Sequence, residues 1–216
     1  PLTSVLGYTS HLLKTLNVPE ESRQKLRMME QETLRVRKII RNLLDFSRQR
    51  ETRMQAGDLL PPLRETVSLL RVAAADTAVR IIEDYPESPA MVSMDHDEIK
   101  QVFINIMNNA LHAMPMGGEL RVRVDVGWDN DMVVEFSDTG HGIPGEHLGK
   151  IFEPFFSTKG NGDGTGLGLS ISYRIIQNHA GRIEVESKIG RGSRFRVVLP
   201  LQRNSTVEEL NHETTR

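Results

Sequence analysis

Hydrophobic positions recur in two rhythms along this chain, and the change of rhythm divides it. Near the start, Leu2, Val5, Thr9, Leu12 and Leu16 step by three and four residues. The same stepping resumes in Leu26, Met29, Thr33, Val36, Ile40, Leu43 and Ser47. Such a heptad seam predicts two amphipathic helices. They are separated at Asn17-Val18-Pro19, and Pro19 followed by Glu20 and Glu21 suits the first turn of the second helix. Leu6, Leu13, Ile39, Leu44 and Phe46 widen the apolar stripe beyond what two helices can cover. Pairing two such hairpins into a four-helix bundle buries the remainder, which predicts a homodimer. A hairpin packed on the chain's own second domain is the alternative.

After a polar, Gly-containing joint at Gln55–Asp58, the periods become shorter and mixed. Leu60–Ala75 reads as a helix, and Arg80–Asp84 and Met91–Met94 as short strands. Asp95 suits an N-cap, with Glu98 three residues on completing a capping box. That helix runs to about Met114 and stops at Pro115-Met116-Gly117-Gly118. Leu120, Val122, Val124 and Val126 then alternate with Arg121, Arg123 and Asp125, so this strand has one apolar face. A turn at Asp129-Asn130-Asp131 leads to a strand over Met132–Ser137, and after a long Gly-rich stretch a helix covers about Leu169–His179. Strands at Arg182–Glu186 and Arg194–Leu199 close the domain, and the polar tail from Gln202 is expected to be disordered. The predicted class is α+β. A helical hairpin over 1–54 forms a dimeric four-helix bundle, an α/β two-layer sandwich follows over 55–201, and 202–216 is the tail.

Composition narrows the chemistry. The 216 residues carry 27 Lys and Arg against 29 Asp and Glu, a net charge of −2, with the two signs interspersed. Nothing in that balance attracts nucleic acid or an acidic membrane. No cysteine is present, which excludes disulfides, thiolate catalysis and cysteine zinc sites. The longest apolar runs are too short to span a bilayer, so no membrane contact is expected within these residues and a cytoplasmic location is expected. The chain begins with Pro1, the mark of a fragment whose anchor or sensor would lie upstream.

Four constellations carry candidate chemistry. At about 100° per residue, Glu98, Gln101, Asn105, Asn108, Asn109 and His112 share one stripe of the helix that starts after Asp95. Asparagine is a poor mid-helix residue, so the stripe is either a plain solvated face or a ligand for a hard cation such as Mg2+. Asp138-Thr139-Gly140-His141-Gly142-Ile143-Pro144 follows a strand directly. Its carboxylate can accept a hydrogen bond from an exocyclic amine such as adenine's, and its glycines let a ring approach; a simple acidic turn is the other reading. Phe152-Glu153-Pro154-Phe155-Phe156-Ser157-Thr158-Lys159 holds three of the seven phenylalanines, as loop anchors or as core, and Lys159 can reach a phosphate. Gly160–Leu169, with five glycines, leads into a helix whose free N–H groups suit an anion. It lacks the Gly-Lys-Ser/Thr of a Walker loop and has no preceding strand of the dinucleotide type.

In this order and spacing the four resemble the sequence boxes of histidine kinase catalytic domains. Asn105–Ala110 is similar to the N box, Asp138–Ile143 to the first G box, Phe152–Lys159 to the F box and Gly164–Leu169 to the second G box. Gly190–Phe195 is similar to the turn before the family's last strand, and Pro1-Leu2-Thr3 to the tail of the H box. The pattern is closest to the nitrogen-regulator class. The resemblance implies the gyrase/MutL/histidine-kinase ATPase fold and a kinase that binds ATP and Mg2+. It implies Asn109 as Mg2+ ligand with Asn105 nearby, and His112 near phosphate. Asp138 would hold the adenine amine with Gly140, Gly142 and Ile143 at the base, and Gly142 beneath the ring. Lys159, Gly164, Thr165, Gly166, Leu167, Gly168 and Leu169 would line the phosphates. Residues from about Gly145 to Asp163 would form a mobile lid.

The same resemblance implies transfer of the γ-phosphate to a histidine, then to a receiver-domain aspartate of a response regulator. The acceptor histidine and its acid would lie ahead of Pro1. None of the seven histidines present has that context, so this fragment is expected not to phosphorylate itself. His11 reads as an exposed or bundle residue. A hydrolytic ATPase of the same superfamily carries a glutamate where this chain has Asn105, and a scaffold without nucleotide would not need the glycines and asparagines. Both remain as alternatives that turnover and titration separate.

Overall fold

The computed structural model describes residues 2–15, 19–47, 52–127, 131–158 and 165–201, with the backbone alone at 38, 39, 41–47, 73, 75 and 76. Leu16-Asn17-Val18, Asp129-Asn130 and the tail from Gln202, all part of the sequence expectations, lie outside the described residues. The chain divides into two compact units, one of residues 1–50 with 157–167, the other of residues 51–156 with 168–216.

The first unit contains the helices α1 (Leu2–Thr15) and α2 (Glu20–Ser47), packed on each other. Pro19 immediately precedes α2 and its carbonyl accepts the Arg23 N–H at 3.0 Å, so the helix starts where the proline and acids predict. Leu6 and Thr9 are buried, and the Thr9 hydroxyl donates to the Val5 carbonyl at 2.7 Å, which lets a polar residue occupy an interior position. His11 is exposed. Because α2 has 28 residues and α1 has 14, α2 outruns its neighbour by about 21 Å at 1.5 Å per residue. Met29, Leu34, Val36 and Ile40 on α2 are all exposed, among them three members of the heptad seam.

In the second unit, Gln55–Asp58 forms a strand, β1, rather than the polar joint the composition suggests. It pairs antiparallel with β3 (Met91–Met94), Gln55 opposite Met94 and Asp58 opposite Met91. The ladder supplies what the side chains do not, and the Asp58 carboxylate accepts the N–H groups of both Leu60 and Ala90, at 3.1 and 2.9 Å. The helix α3 (Leu60–Asp76) follows, and then β2 (Val79–Asp84). After β3 come α4 (His96–Ala113), β4 (Gly118–Val126), β5 (Asp131–Asp138) and the one-turn α5 (Gly145–Leu148). The chain closes with α6 (Gly168–Asn178), β6 (Arg182–Lys188) and β7 (Gly192–Pro200).

The main sheet has the order β2-β4-β5-β7-β6; β2 and β4 run parallel and every other pair antiparallel. The alternation expected for β4 holds at Leu120, Val122 and Val124, which are buried, while Val126 at the strand end is 55% exposed. Together with Val134, Phe136, Phe195 and Val197 they form a core against α4, which packs on α3 and α6, and the Phe103 and Phe136 rings lie 5.6 Å apart. The opposite face is a lattice of cross-strand charges. Arg196 bonds Glu135 at 3.0 Å and Glu186 at 2.9 Å, and Arg194 approaches both carboxylates. Such half-exposed pairs keep the open face soluble and specify register more than they stabilise. This is the predicted two-layer α/β sandwich.

The start of α4 departs from the capping-box expectation. Asp95 does cap the helix, accepting the N–H groups of Asp97 and Glu98 at 3.1 and 3.2 Å. The reciprocal bond from Glu98 is absent, because the Asp95 N–H is taken by Nε2 of His179 at 2.9 Å. A tertiary partner replaces the local one.

Candidate functional site

The polar stripe of α4 serves three purposes. The Asn105 amide nitrogen donates to the Gly168 carbonyl at 3.0 Å and to the Ser172 hydroxyl at 3.1 Å, and its oxygen accepts from Gln101 at 2.9 Å. Asn105 is therefore consumed in joining α4 to the first turn of α6. Asn108 contributes its carbonyl to Nδ1 of His112, which fixes an exposed ring on the last turn of α4. Asn109 is half-buried, and its side chain makes no hydrogen bond among the described residues. A partly desolvated amide without a partner is a group with capacity for a ligand. Among the described residues no group of three or more His, Cys, Asp or Glu could hold a metal ion.

Asp138 ends β5 and is only 6% exposed. One carboxylate oxygen, Oδ1, accepts the N–H of Gly140 at 2.8 Å and that of Ser193 at 3.2 Å. The other oxygen has no partner among the described residues. Burial pushes the Asp138 carboxyl above the usual carboxylate range, against the two N–H groups and nearby His141, which favour the anion. The pinned Oδ1 fixes the plane of the carboxylate and leaves Oδ2 as an available acceptor.

The loop after Asp138 is seated between two elements. His141 donates its N–H to the Ala113 carbonyl at 3.1 Å, which brings the loop to the C-terminal end of α4, one turn beyond Asn109. On the other side the His141 carbonyl accepts the Gly190 N–H at 2.8 Å. The glycines here answer to the protein itself, before any ligand. A Cβ on Gly140 would lie 2.6 Å from the Ala113 carbonyl oxygen, and Gly142, at φ +73°, would collide with the Lys188 carbonyl. Neighbouring backbone by itself thus requires a glycine at both positions. The Ile143 N–H donates to the Ser187 hydroxyl at 2.7 Å.

The first part of the predicted lid is packed. It contains α5, a buried Ile151, a Phe152–Tyr173 ring pair at 5.3 Å and an edge-on His147–Phe156 pair at 5.4 Å. Phe155, at φ +68°, is 63% exposed, while Phe152 and Phe156 are half-buried, so none of the three is fully buried core. Lys159 and Gly164 lie outside the described residues. Thr165 and Gly166 are half-buried and Leu167 is buried, with Gly166 at φ +65°. Gly168 and Leu169 form the first turn of α6.

Two residues near this site, and one at the other end of α4, escaped the sequence reading. Ser193 presents its N–H to Asp138 and sits inside the Gly-rich turn already noted, a signal that was available. Ser187 and His179 matter here through their bonds to Ile143 and Asp95, distant in sequence, which no local pattern advertises.

Residues 94–203 match the family model for the histidine kinase-, DNA gyrase B-, and HSP90-like ATPase, and residues 1–52 match that of the His Kinase A (phospho-acceptor) domain. The chain belongs to the sensor histidine kinases. Among curated relatives it is similar to the signal transduction histidine-protein kinase AtoS of Escherichia coli, 35% identical over 96% of this chain and 34% of that protein. It is also similar to sporulation kinase C of Bacillus subtilis, 34% identical over 95% of this chain and 47% of that protein. The chain thus spans a third to a half of the length of these relatives. Among solved structures, histidine kinase ThkA in complex with response regulator protein TrrA superposes with a TM-score of 0.73 at 27% identity, over 95% of this chain and 59% of that one. No helix among the described residues is long and apolar enough to cross a membrane.

Proposed function

We propose that this kinase core binds Mg-ATP at the C-terminal end of α4 and transfers the γ-phosphate to a histidine, from which a receiver-domain aspartate takes it. The observation that carries the reading is the Asp138 carboxylate, half pinned and half unpartnered, on a loop bonded to the helix end one turn beyond Asn109. In this reading Asp138 Oδ2 accepts from the adenine amine. Gly140, Gly142 and Ile143 shape the base pocket, and His112 lies toward the phosphates. Lys159, Gly164–Leu167, Gly168 and Leu169 make the phosphate cradle. Asn109 would hold Mg2+, whose charge offsets that of the phosphates.

The chain's own groups favour transfer over hydrolysis. Asn105 stands where a hydrolase needs a base, and its amide nitrogen is already donating to Gly168 and Ser172. A side-chain amide has no basicity with which to take a proton from water. Water is therefore left unactivated and the phosphoryl group waits for a better nucleophile. The acceptor histidine, on the family resemblance, lies ahead of Pro1.

The remaining assignments follow from the same reading. Residues 1–54 are the dimerisation and phosphotransfer hairpin, 55–201 the catalytic domain and 202–216 a tail. The exposed apolar positions of α2 support a homodimer, and the partner in ThkA's solved complex supports a response regulator as the downstream partner. ATP and a receiver domain imply the cytoplasm. Calorimetry with Mg-ADP and with a non-hydrolysable ATP analogue tests the proposal: saturable heat is expected, together with ATP turnover close to background. Absence of heat on folded material overturns it, and brisk steady-state hydrolysis replaces the kinase with an ATPase.

A further inference from the structure

The aim of Asp138 depends on a residue that does not touch it. Asp138 Oδ1 is held by the Ser193 N–H, and Ser193 is the second residue of β7 after the turn from β6. That turn is tied to the loop after Asp138 by the Gly190 N–H on the His141 carbonyl and, through a side chain, by one hydroxyl. Ser187 Oγ accepts the Ile143 N–H at 2.7 Å, donates to the Gly192 carbonyl at 2.8 Å and lies 3.0 Å from the Ser193 hydroxyl. A serine hydroxyl has one proton and two lone pairs. With its proton on Gly192 and one lone pair on Ile143, Ser187 can only accept from Ser193. The Ser193 proton is thereby spent, and Ser193 Oγ keeps acceptor capacity alone.

We propose that Ser187 is a specificity-determining positioning residue, which holds the β6–β7 turn so that Asp138 and Ser193 offer a base acceptors only. This rests on the nucleotide reading above and deepens it. A site of acceptors favours a base that presents an amine and disfavours one that presents a carbonyl, because a buried acceptor facing a carbonyl loses its water without gaining a bond. Guanine is the carbonyl-bearing comparison. Ser187 itself is half-buried, and among the described residues its hydroxyl bonds backbone and another serine only, so its effect on a base is indirect.

The test measures Kd for Mg-ADP and Mg-GDP on the 216-residue chain and on its Ser187→Ala and Ser187→Thr variants. Ser187→Ala is expected to weaken ADP about tenfold while leaving GDP within about twofold, so that selectivity collapses, and Ser187→Thr, which keeps the hydroxyl, is expected to restore it. Equal weakening of both nucleotides would mark Ser187 as merely structural and overturn the proposal, as would unchanged affinities. A companion measurement needs no variant: the Ile143 amide of the unmodified chain is expected to be protected from hydrogen exchange, and free exchange there overturns the clasp. If the unmodified chain binds no ADP, the nucleotide reading itself falls and this inference with it. ADP binding with unaltered selectivity in Ser187→Ala removes the inference alone.

Discussion

His179 accepts the Asp95 N–H through Nε2 at 2.9 Å, so the residue that follows α6 holds the first turn of α4. Its other nitrogen faces the Ile175 carbonyl at 2.8 Å, which requires an N–H at Nδ1. Two backbone groups thus select one neutral tautomer of a ring that is 1% exposed. Asn105 clasps the same two helices nearer the start of α6, and the pair of clasps sets the axial position of α4. His179→Ala strands the Asp95 N–H in the interior and should cost about 2–3 kcal/mol in urea unfolding. His179→Gln, which can still offer an acceptor, should recover part of that. A loss below about 0.5 kcal/mol for the alanine variant would show that water replaces the ring.

Asn105 and Asn109, four residues apart on one helix, should respond in opposite ways. Asn105→Ala removes three hydrogen bonds and should lower stability by about 1–2 kcal/mol. Asn109→Ala removes none and should leave the unfolding midpoint nearly unchanged, while abolishing the Mg2+-dependent part of nucleotide affinity. Titrations with and without Mg2+ check this, and an unaltered Mg2+ dependence would remove Asn109 from the metal site.

Asp138→Asn should trade function for stability. Burial raises the folded carboxyl above its unfolded value, so its stabilising contribution belongs to the protonated form and is lost as pH rises through the raised value. Above that raised value the free protein carries the anion at a cost. Asparagine keeps the oxygen that Gly140 and Ser193 need and puts an amine where Oδ2 stood. The variant should melt at or above the temperature of the parent at neutral pH, yet bind ADP at least about 100-fold more weakly. Undiminished ADP affinity would show that the carboxylate does not meet the base.

Asp95 shows the opposite sign. Burial pushes its carboxyl up, but the N–H groups of Arg53, Glu98 and Asp97 outweigh that and hold it below the usual range. Its stabilising contribution is present above about pH 4 and is lost as pH falls through the depressed value. Asp95→Ala should cost about 1–2 kcal/mol at neutral pH and flatten the acid side of the stability profile. An acid limb as steep as the parent's would assign that loss to other carboxylates.

Leu34 and Val36 are each 41% exposed on α2. Placing a charge there, as Leu34→Glu with Val36→Glu, should halve the mass seen in sedimentation at micromolar concentration if these positions meet a second copy. A mass that stays that of two chains would place the interface elsewhere.

Much of this architecture could be read from residue order. Heptad stepping marked both helices of the hairpin, and alternation of Leu120, Val122 and Val124 with Arg121, Arg123 and Asp125 marked a strand with one wet face. Asp95, with an apolar run behind it, announced the start of α4. These features are legible because each depends on neighbours within one or two turns, where geometry follows directly from sequence separation. Even the four boxes, each weak alone, gained force from their order.

Long-range pairing set the remainder. β1 has too little apolar content to predict itself and exists because Met91–Met94 pairs with it. Glu98 failed to close a capping box because a histidine over eighty residues away reached Asp95 first. Gly140 and Gly142 were legible as necessary glycines, but only the packed structure names Ala113 and Lys188 as the neighbours that demand them. The division of labour among Asn105, Asn108 and Asn109 is likewise invisible in their common stripe, since periodicity assigns a face and not a partner. A hydrogen bond is won by whichever group arrives at about 3 Å, and between distant segments that contest is decided by the packing of the whole fold.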